Sequence, residues 1–176
     1  ITHKSMIDQN LRIAGVIDES IVDGPGIRFV IFTQGCPHHC PGCHNPQTQD
    51  FAGGQEVKIS RLLADVQADP LIGGVTLSGG EPFCQPKPLA ELARVLRLGG
   101  KHIMTYTGYT WEQLLEMDDP DVLALLWQCD VLVDGPFVQE QRDLSLRFRG
   151  SRNQRLIDVP TSLEQGRVVT TTCAHL

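Results

Sequence analysis

Short apolar runs rich in β-branched and aromatic residues recur along the chain at 27–32, 75–77, 102–105 and 131–133. Runs of that length and composition predict strands. Between the second and third, Leu89, Leu92, Ala93 and Leu96 recur at the spacing of a helix with one buried face. The Gly99-Gly100 pair then predicts its end. Thr110 with Gln113 reads as a capping box, and Asp119-Pro120 opens a further helix running to Leu125 and Leu126. Strands alternating with helices predict an α/β fold with a parallel sheet and flanking helices. The ten N-terminal residues are polar and predicted to be peripheral, and the segment after Pro160 shows no clear periodicity.

A complete eight-unit β/α barrel takes about 250 residues. With 176 residues and no linker or repeat, this chain has room for part of one, so the expected fold is an incomplete, open (β/α) barrel in a single domain spanning 1–176. Each strand run is followed by a polar or Gly-rich segment: Thr33-Gln34-Gly35-Cys36, Ser78-Gly79-Gly80-Glu81, Tyr106-Thr107-Gly108 and Asp134-Gly135-Pro136. In parallel β/α folds the loops after the strands emerge on one face, where ligands bind. All four segments are expected to meet there.

Composition narrows the function classes. A net charge of -6 argues against an electrostatic grip on nucleic acid. No apolar stretch approaches the roughly 18 residues that span a bilayer, and no secretion signal is visible. A cytoplasmic protein without a membrane partner is expected. Three of the six cysteines, Cys36, Cys40 and Cys43, sit within eight residues, while Cys84, Cys129 and Cys173 stand alone. A clustered triplet without an export signal points to metal rather than disulfides.

The segment Cys36-Pro37-His38-His39-Cys40-Pro41-Gly42-Cys43 puts three thiols on one loop. A cubane of four irons takes four thiolates, so three cysteines would leave one iron open, the general mark of a catalytic metal site. On spacing alone a structural zinc site completed by His44 or Cys84 stays open, because ligands two to four residues apart also suit zinc. His38 and His39 read as solvent-facing loop residues, and the three isolated cysteines as structural or incidental.

The Cys-x3-Cys-x2-Cys triplet after one strand, followed by Ser78-Gly79-Gly80-Glu81-Pro82 after the next, resembles the radical S-adenosylmethionine superfamily. Val22-Asp23-Gly24-Pro25-Gly26-Ile27-Arg28 resembles the entry segment of its glycyl-radical-enzyme activating branch. Residues 131–137 and 145–151 are similar to the activators of anaerobic ribonucleoside-triphosphate reductase. The likeness covers about residues 15–158, taken as the core. It implies a radical S-adenosylmethionine fold and one [4Fe-4S] cluster on Cys36, Cys40 and Cys43, with S-adenosylmethionine chelating the open iron. It further implies a cofactor site of Gly42, Cys43, His44, Ser78, Gly79, Gly80 and Glu81, with Glu81 accepting from its ammonium and with Thr107 and Asp134 one layer behind those contacts. Asp134 equally suits a turn.

By the same resemblance, an electron from a donor such as flavodoxin breaks the sulfonium. The resulting 5'-deoxyadenosyl radical takes an α-hydrogen from a glycine of the large partner reductase. No aromatic precedes the third cysteine, where Gly42 stands, and no second cysteine group follows, so a single cluster is implied. Activators of pyruvate formate-lyase, the small deazaguanine-forming synthase and a non-catalytic zinc or iron-sulfur module are the competing readings. Arg142, Arg147, Arg149, Arg152 and Arg155 place a third of the 15 basic residues in a short stretch. They read either as a solvated face or as a dock for the partner.

Overall fold

The computed structural model describes residues 9–172. Residues 1–8 of the segment expected to be peripheral, and Cys173, lie outside the described residues. Seven strands form one sheet: β1 (Asn10–Ser20), β2 (Arg28–Thr33), β3 (Gln55–Lys58), β4 (Gly74–Gly79), β5 (His102–Tyr106), β6 (Val131–Asp134) and β7 (Arg155–Asp158). Their spatial order is β3-β1-β2-β4-β5-β6-β7. The four predicted strand runs are β2, β4, β5 and β6, which pair in parallel at the centre.

The sheet is nevertheless mixed, where an all-parallel sheet was expected. β1 and β3 add antiparallel to one side and β7 to the other. β1 begins ahead of the expected core boundary at residue 15, and its Leu11 and Ile13 are buried. The alternation of Leu11 and Ile13 is the period-two signal of a half-buried strand, but it is too short to stand out against polar neighbours. β7 carries only Leu156 and Ile157 as apolar content, too little for a local pattern to announce.

Among the described residues five α-helices accompany the strands: α1 (Ile59–Ala68), α2 (Pro86–Leu98), α3 (Trp111–Glu116), α4 (Pro120–Gln128) and α5 (Val159–Gln165). The Thr110–Gln113 capping box opens α3 as expected, and Asp119 caps α4. In α5, Pro160 occupies the first turn, where its missing N–H costs nothing, and the Asp158 carboxylate accepts from the Thr161 N–H.

Strand alternation assigns the two faces different work. Phe29, Ile31, Val75, Leu77, Ile103 and Leu132 pack with Leu62, Val66, Leu89, Leu92, Leu96 and Leu125 from the helices in one large core. Met104, Val131, Val133 and Leu156 face the other way in a smaller cluster. On that second face lies the fully buried Arg28. Burying a guanidinium is tolerated only when its donors are met. Here they reach Thr76 Oγ1 at 2.8 Å, Pro25 O at 2.9 Å, Val75 O at 3.0 Å, and both Nδ1 and O of His102 at 3.1 Å. Gly74 makes the room, since a Cβ there would sit 2.4 Å from Arg28 Nη1. Arg28 therefore ties together the ends of β2, β4 and β5 opposite to the loops described next, while Val22 and Asp23 ahead of it border the cavity those loops form.

Among the described residues, no helix is long and apolar enough to cross a membrane.

Candidate functional site

Segments after β2, β4, β5 and β6 converge, as the placement of the motifs predicted. They border one open cavity of about 550 Å3 whose lining includes Cys36, Cys40, Cys43, Ser78, Gly79, Gly80, Thr107 and Gly135. All three thiols are partly exposed and none is in a disulfide. The loop is pinned at its start by backbone bonds from Gly35 N to Thr48 O and from Cys36 N to Gln49 O. A turn from Cys43 N to Cys40 O closes its end. Desolvation, followed by the negative Glu81 and Cys40, pushes the Cys36 thiol up, while the backbone N–H groups of His38 and His39 hold it down.

Gly79 and Gly80 line the cavity, and their lack of a side chain has a packing cause. A Cβ on Gly80 would lie 2.4 Å from the Gly35 carbonyl oxygen, and one on Gly79 2.6 Å from Thr33 N. Gly79 also has a φ of +94°, which side-chain-bearing residues rarely adopt. The two glycines thus let the end of β4 press against the start of the cysteine loop. Gly80 N donates to Thr33 O and Glu81 N to Gly35 O.

Glu81 lies beneath the cavity rather than on it, which removes the ground for expecting it to accept from a ligand's ammonium. It is 0% exposed, and its carboxylate is already occupied. It accepts from Gly108 N at 2.8 Å, Phe83 N at 3.0 Å, Thr107 Oγ1 at 2.9 Å and His38 Nε2 at 2.6 Å. His38, expected to face solvent, is instead half-buried at the edge of the cavity. Its ring meets Tyr109 edge-on at 4.5 Å and lies so close to Gly108 that a Cβ there would strike it at 2.4 Å. His39 is exposed, as expected.

Asp134 is also off the cavity and is more than a turn residue. Its buried carboxylate accepts from Trp111 N at 2.8 Å, tying down the start of α3, and pairs with Arg155 at 2.5 Å. Asp134 and Glu112 together push the Arg155 guanidinium further up. Gly42 faces Gln139 rather than the cavity, and its φ of +75° suits the turn between Cys40 and Cys43. His44 lines the cavity with its ring 4.9 Å from Phe137.

Of the isolated cysteines, Cys129 is fully buried and donates to Thr105 Oγ1 at 3.2 Å, burial having pushed its thiol to about 12. Cys84 is exposed and does not line the cavity. Among the described residues, no three His, Cys, Asp or Glu side chains are grouped to hold a single ion. Three thiols spread around one cavity suit a larger group that each reaches at a different iron.

The arginines divide into distinct environments. Arg142 and Arg149 border the cavity. Arg155 is tied to Asp134 and Glu112. Arg147 lies over the Phe148 ring at 4.7 Å. Arg147, Arg149, Arg152 and Arg155 together border a second cavity of about 420 Å3 beside Thr170–Thr172. Phe137, Tyr106 and Phe148 also reach the main cavity, and nothing local in the sequence distinguishes them from core residues.

A sheet with a parallel centre and a three-thiol loop at the open ends of its strands is the arrangement of an iron-sulfur domain. Accordingly, the family model described as a 4Fe-4S single cluster domain matches residues 22–157. The anaerobic ribonucleoside-triphosphate reductase-activating protein of Vibrio cholerae is 41% identical over 143 residues, covering 76% of this chain and 89% of that protein. That of Escherichia coli K12 is 37% identical over 147 residues, covering 76% and 90%. The pyruvate formate-lyase-activating enzyme of Clostridium pasteurianum is 39% identical over 117 residues, but those cover 61% of this chain and 49% of that enzyme. Among solved structures, QueE from Escherichia coli shares the fold with a TM-score of 0.51 at 19% identity, covering 62% of this chain and 57% of QueE. The chain belongs to the family of anaerobic ribonucleoside-triphosphate reductase-activating proteins.

Proposed function

We propose that this chain is a radical S-adenosylmethionine enzyme that installs a glycyl radical on anaerobic ribonucleoside-triphosphate reductase. The observation that carries the reading is the meeting of Cys36, Cys40 and Cys43 with Ser78, Gly79 and Gly80 around one cavity. Its volume of about 550 Å3 is in the range of small-molecule sites. In this reading the three thiolates hold three corners of a [4Fe-4S] cluster, and S-adenosylmethionine takes the fourth. When bound, the cluster supplies the electron that breaks the carbon-sulfur bond, giving methionine and a 5'-deoxyadenosyl radical that removes the glycine hydrogen.

The side chains need supply no acid, base or nucleophile. Ser78, Gly79 and Gly80 border the space for the methionine end, and His44 and Phe137 line the same cavity. Thr107 reaches the same cavity while donating to Glu81. Glu81 and Asp134 act one layer back, holding the loop after β5 and the start of α3. The sheet is read as an incomplete (β/α) barrel within one domain. Its support is that the described helices all contribute to the core on one face, leaving residues of the other face, such as Phe32 and Tyr106, to border the site. A one-electron donor such as flavodoxin and a cytoplasmic setting complete the proposal.

Activation of pyruvate formate-lyase is the second reading, favoured by the 39% identity to the clostridial activator. Anaerobic reconstitution followed by iron and sulfide analysis tests both. Four irons per chain and dithionite-driven 5'-deoxyadenosine are expected, with both lost in Cys36→Ala, Cys40→Ala and Cys43→Ala and retained in Cys84→Ala. Incubation with each partner enzyme under paramagnetic resonance then identifies the substrate by which one acquires the glycyl radical. A zinc-loaded protein that yields no 5'-deoxyadenosine would refute the proposal.

A further inference from the structure

The loop between Cys36 and Cys40 has few backbone anchors of its own, yet one side chain within it reaches across the fold. His38 Nε2 lies 2.6 Å from Glu81 Oε1, and the histidine side chain is 16% exposed against 0% for its partner. Tyr109 meets the ring edge-on at 4.5 Å, and Gly108 is bare where the imidazole rests. The imidazole is thus fixed on several sides by groups from the segments after β4 and β5. Glu81, in turn, is held by Phe83 N and Gly108 N and cannot follow the loop if it moves.

Fixing the ring also fixes the backbone that carries it. The next residue, His39, has a φ of +50°, uncommon for a residue with a side chain. A left-handed residue in such a turn lets successive N–H groups point into one concavity that favours negative charge. Consistent with such a turn, the backbone N–H groups of His38 and His39 are what hold the Cys36 thiol down against desolvation. Hydrogen bonds to sulfur are among the means by which a protein sets the potential of an iron-sulfur centre.

We propose that His38 is a positioning residue for the Cys36 sulfur. Latched to Glu81, its imidazole holds the 36–40 turn so that two backbone N–H groups stay directed at that atom. This rests on the proposed cluster site, but it makes a claim about the polypeptide that is testable without the cluster. No proton need leave or join the imidazole in this role, and the ring, which also borders the main cavity, acts through the turn that carries it.

The comparison is between wild type, His38→Gln, whose amide can donate from nearly the same place as Nε2, and His38→Leu, which keeps bulk but has no donor. In the metal-free protein, amide exchange of a peptide covering residues 36–40 is expected to rise roughly tenfold in His38→Leu, the factor set by loss of one charge-assisted hydrogen bond. In His38→Gln it is expected to stay within about twofold of wild type by the same reasoning. In reconstituted protein, the potential of the cluster should fall in His38→Leu and be restored by His38→Gln, with iron content unchanged in both. Equal exchange in wild type and His38→Leu would overturn the latch. Equal potentials with faster exchange would overturn the role of the two N–H groups. A wild-type protein that cannot be loaded with iron and sulfide would instead count against the proposed function, leaving the exchange result to judge the latch.

Discussion

Acidification should weaken this fold through a single imidazole at the closed ends of the parallel strands. His102 lies beside the permanently charged Arg28, whose Nη2 is 3.1 Å from its Nδ1. Desolvation and then the Arg28 charge lower the pKa from 6.5 to about 4, with Arg97 adding to them and Asp130 opposing. The unfolded chain binds a proton as pH falls through 6.5, while the folded chain resists until about 4. Stability is therefore fully kept above pH 6.5 and lost progressively between 6.5 and 4. At about 1.36 kcal/mol per pKa unit, the whole difference is about 3 kcal/mol, of which about 2 kcal/mol is gone by pH 5. Carboxylates titrate in the same range, so the assay compares wild type with His102→Asn, whose side-chain oxygen can accept from Arg28 in place of Nδ1. Urea denaturation at pH 7.5, 6.0, 5.0 and 4.5 should show the wild-type curve falling below that of the variant by those amounts, after alignment at pH 7.5. Parallel curves would refute the assignment of a neutral imidazole against a buried guanidinium.

Gly80→Ala should cost about 3 kcal/mol or more, because its Cβ would meet the Gly35 carbonyl at 2.4 Å with only backbone to give way. Gly73→Ala, with nothing within 4 Å, should stay within about 0.5 kcal/mol of wild type in the same thermal or urea melts. Asp134→Ala should lower stability by about 2–3 kcal/mol, since it strands a buried Trp111 N–H and removes a partner from Arg155, itself partly screened by solvent. Retention of wild-type melting would show that the start of α3 is held elsewhere. Replacing Arg147 and Arg152 together by Ala should weaken glycyl-radical formation on the partner several-fold and leave uncoupled S-adenosylmethionine cleavage unchanged. A proportional loss of both activities would argue that these arginines support the site rather than a docked protein.

The sequence by itself determined what local chemistry can specify. The four central strands, the periodicity of α2, the capping box of α3 and the triplet at 36–43 each depend on residues close together in the chain. The position of the Gly-rich segments after those strands also foretold their convergence, because a parallel sheet sends such loops to one end. Tertiary structure decided what depends on partners far apart. The antiparallel strands β1 and β7 owe their place to pairing with β2 and β6, which brief apolar stretches do not announce.

The same separation governs what the polar residues around the site do. Glu81 and Asp134 have the chemistry of ligand contacts, but whether a carboxylate faces a cavity depends on the donors that reach it first. For Glu81 these come from 38, 83, 107 and 108, and for Asp134 from 111 and 155. His38 reads as a surface residue until the chain brings Glu81 beneath it from 43 positions away. A residue's type sets which bonds it can make, and the packed fold alone selects among them, since burial makes an unmet polar group too costly to leave to chance.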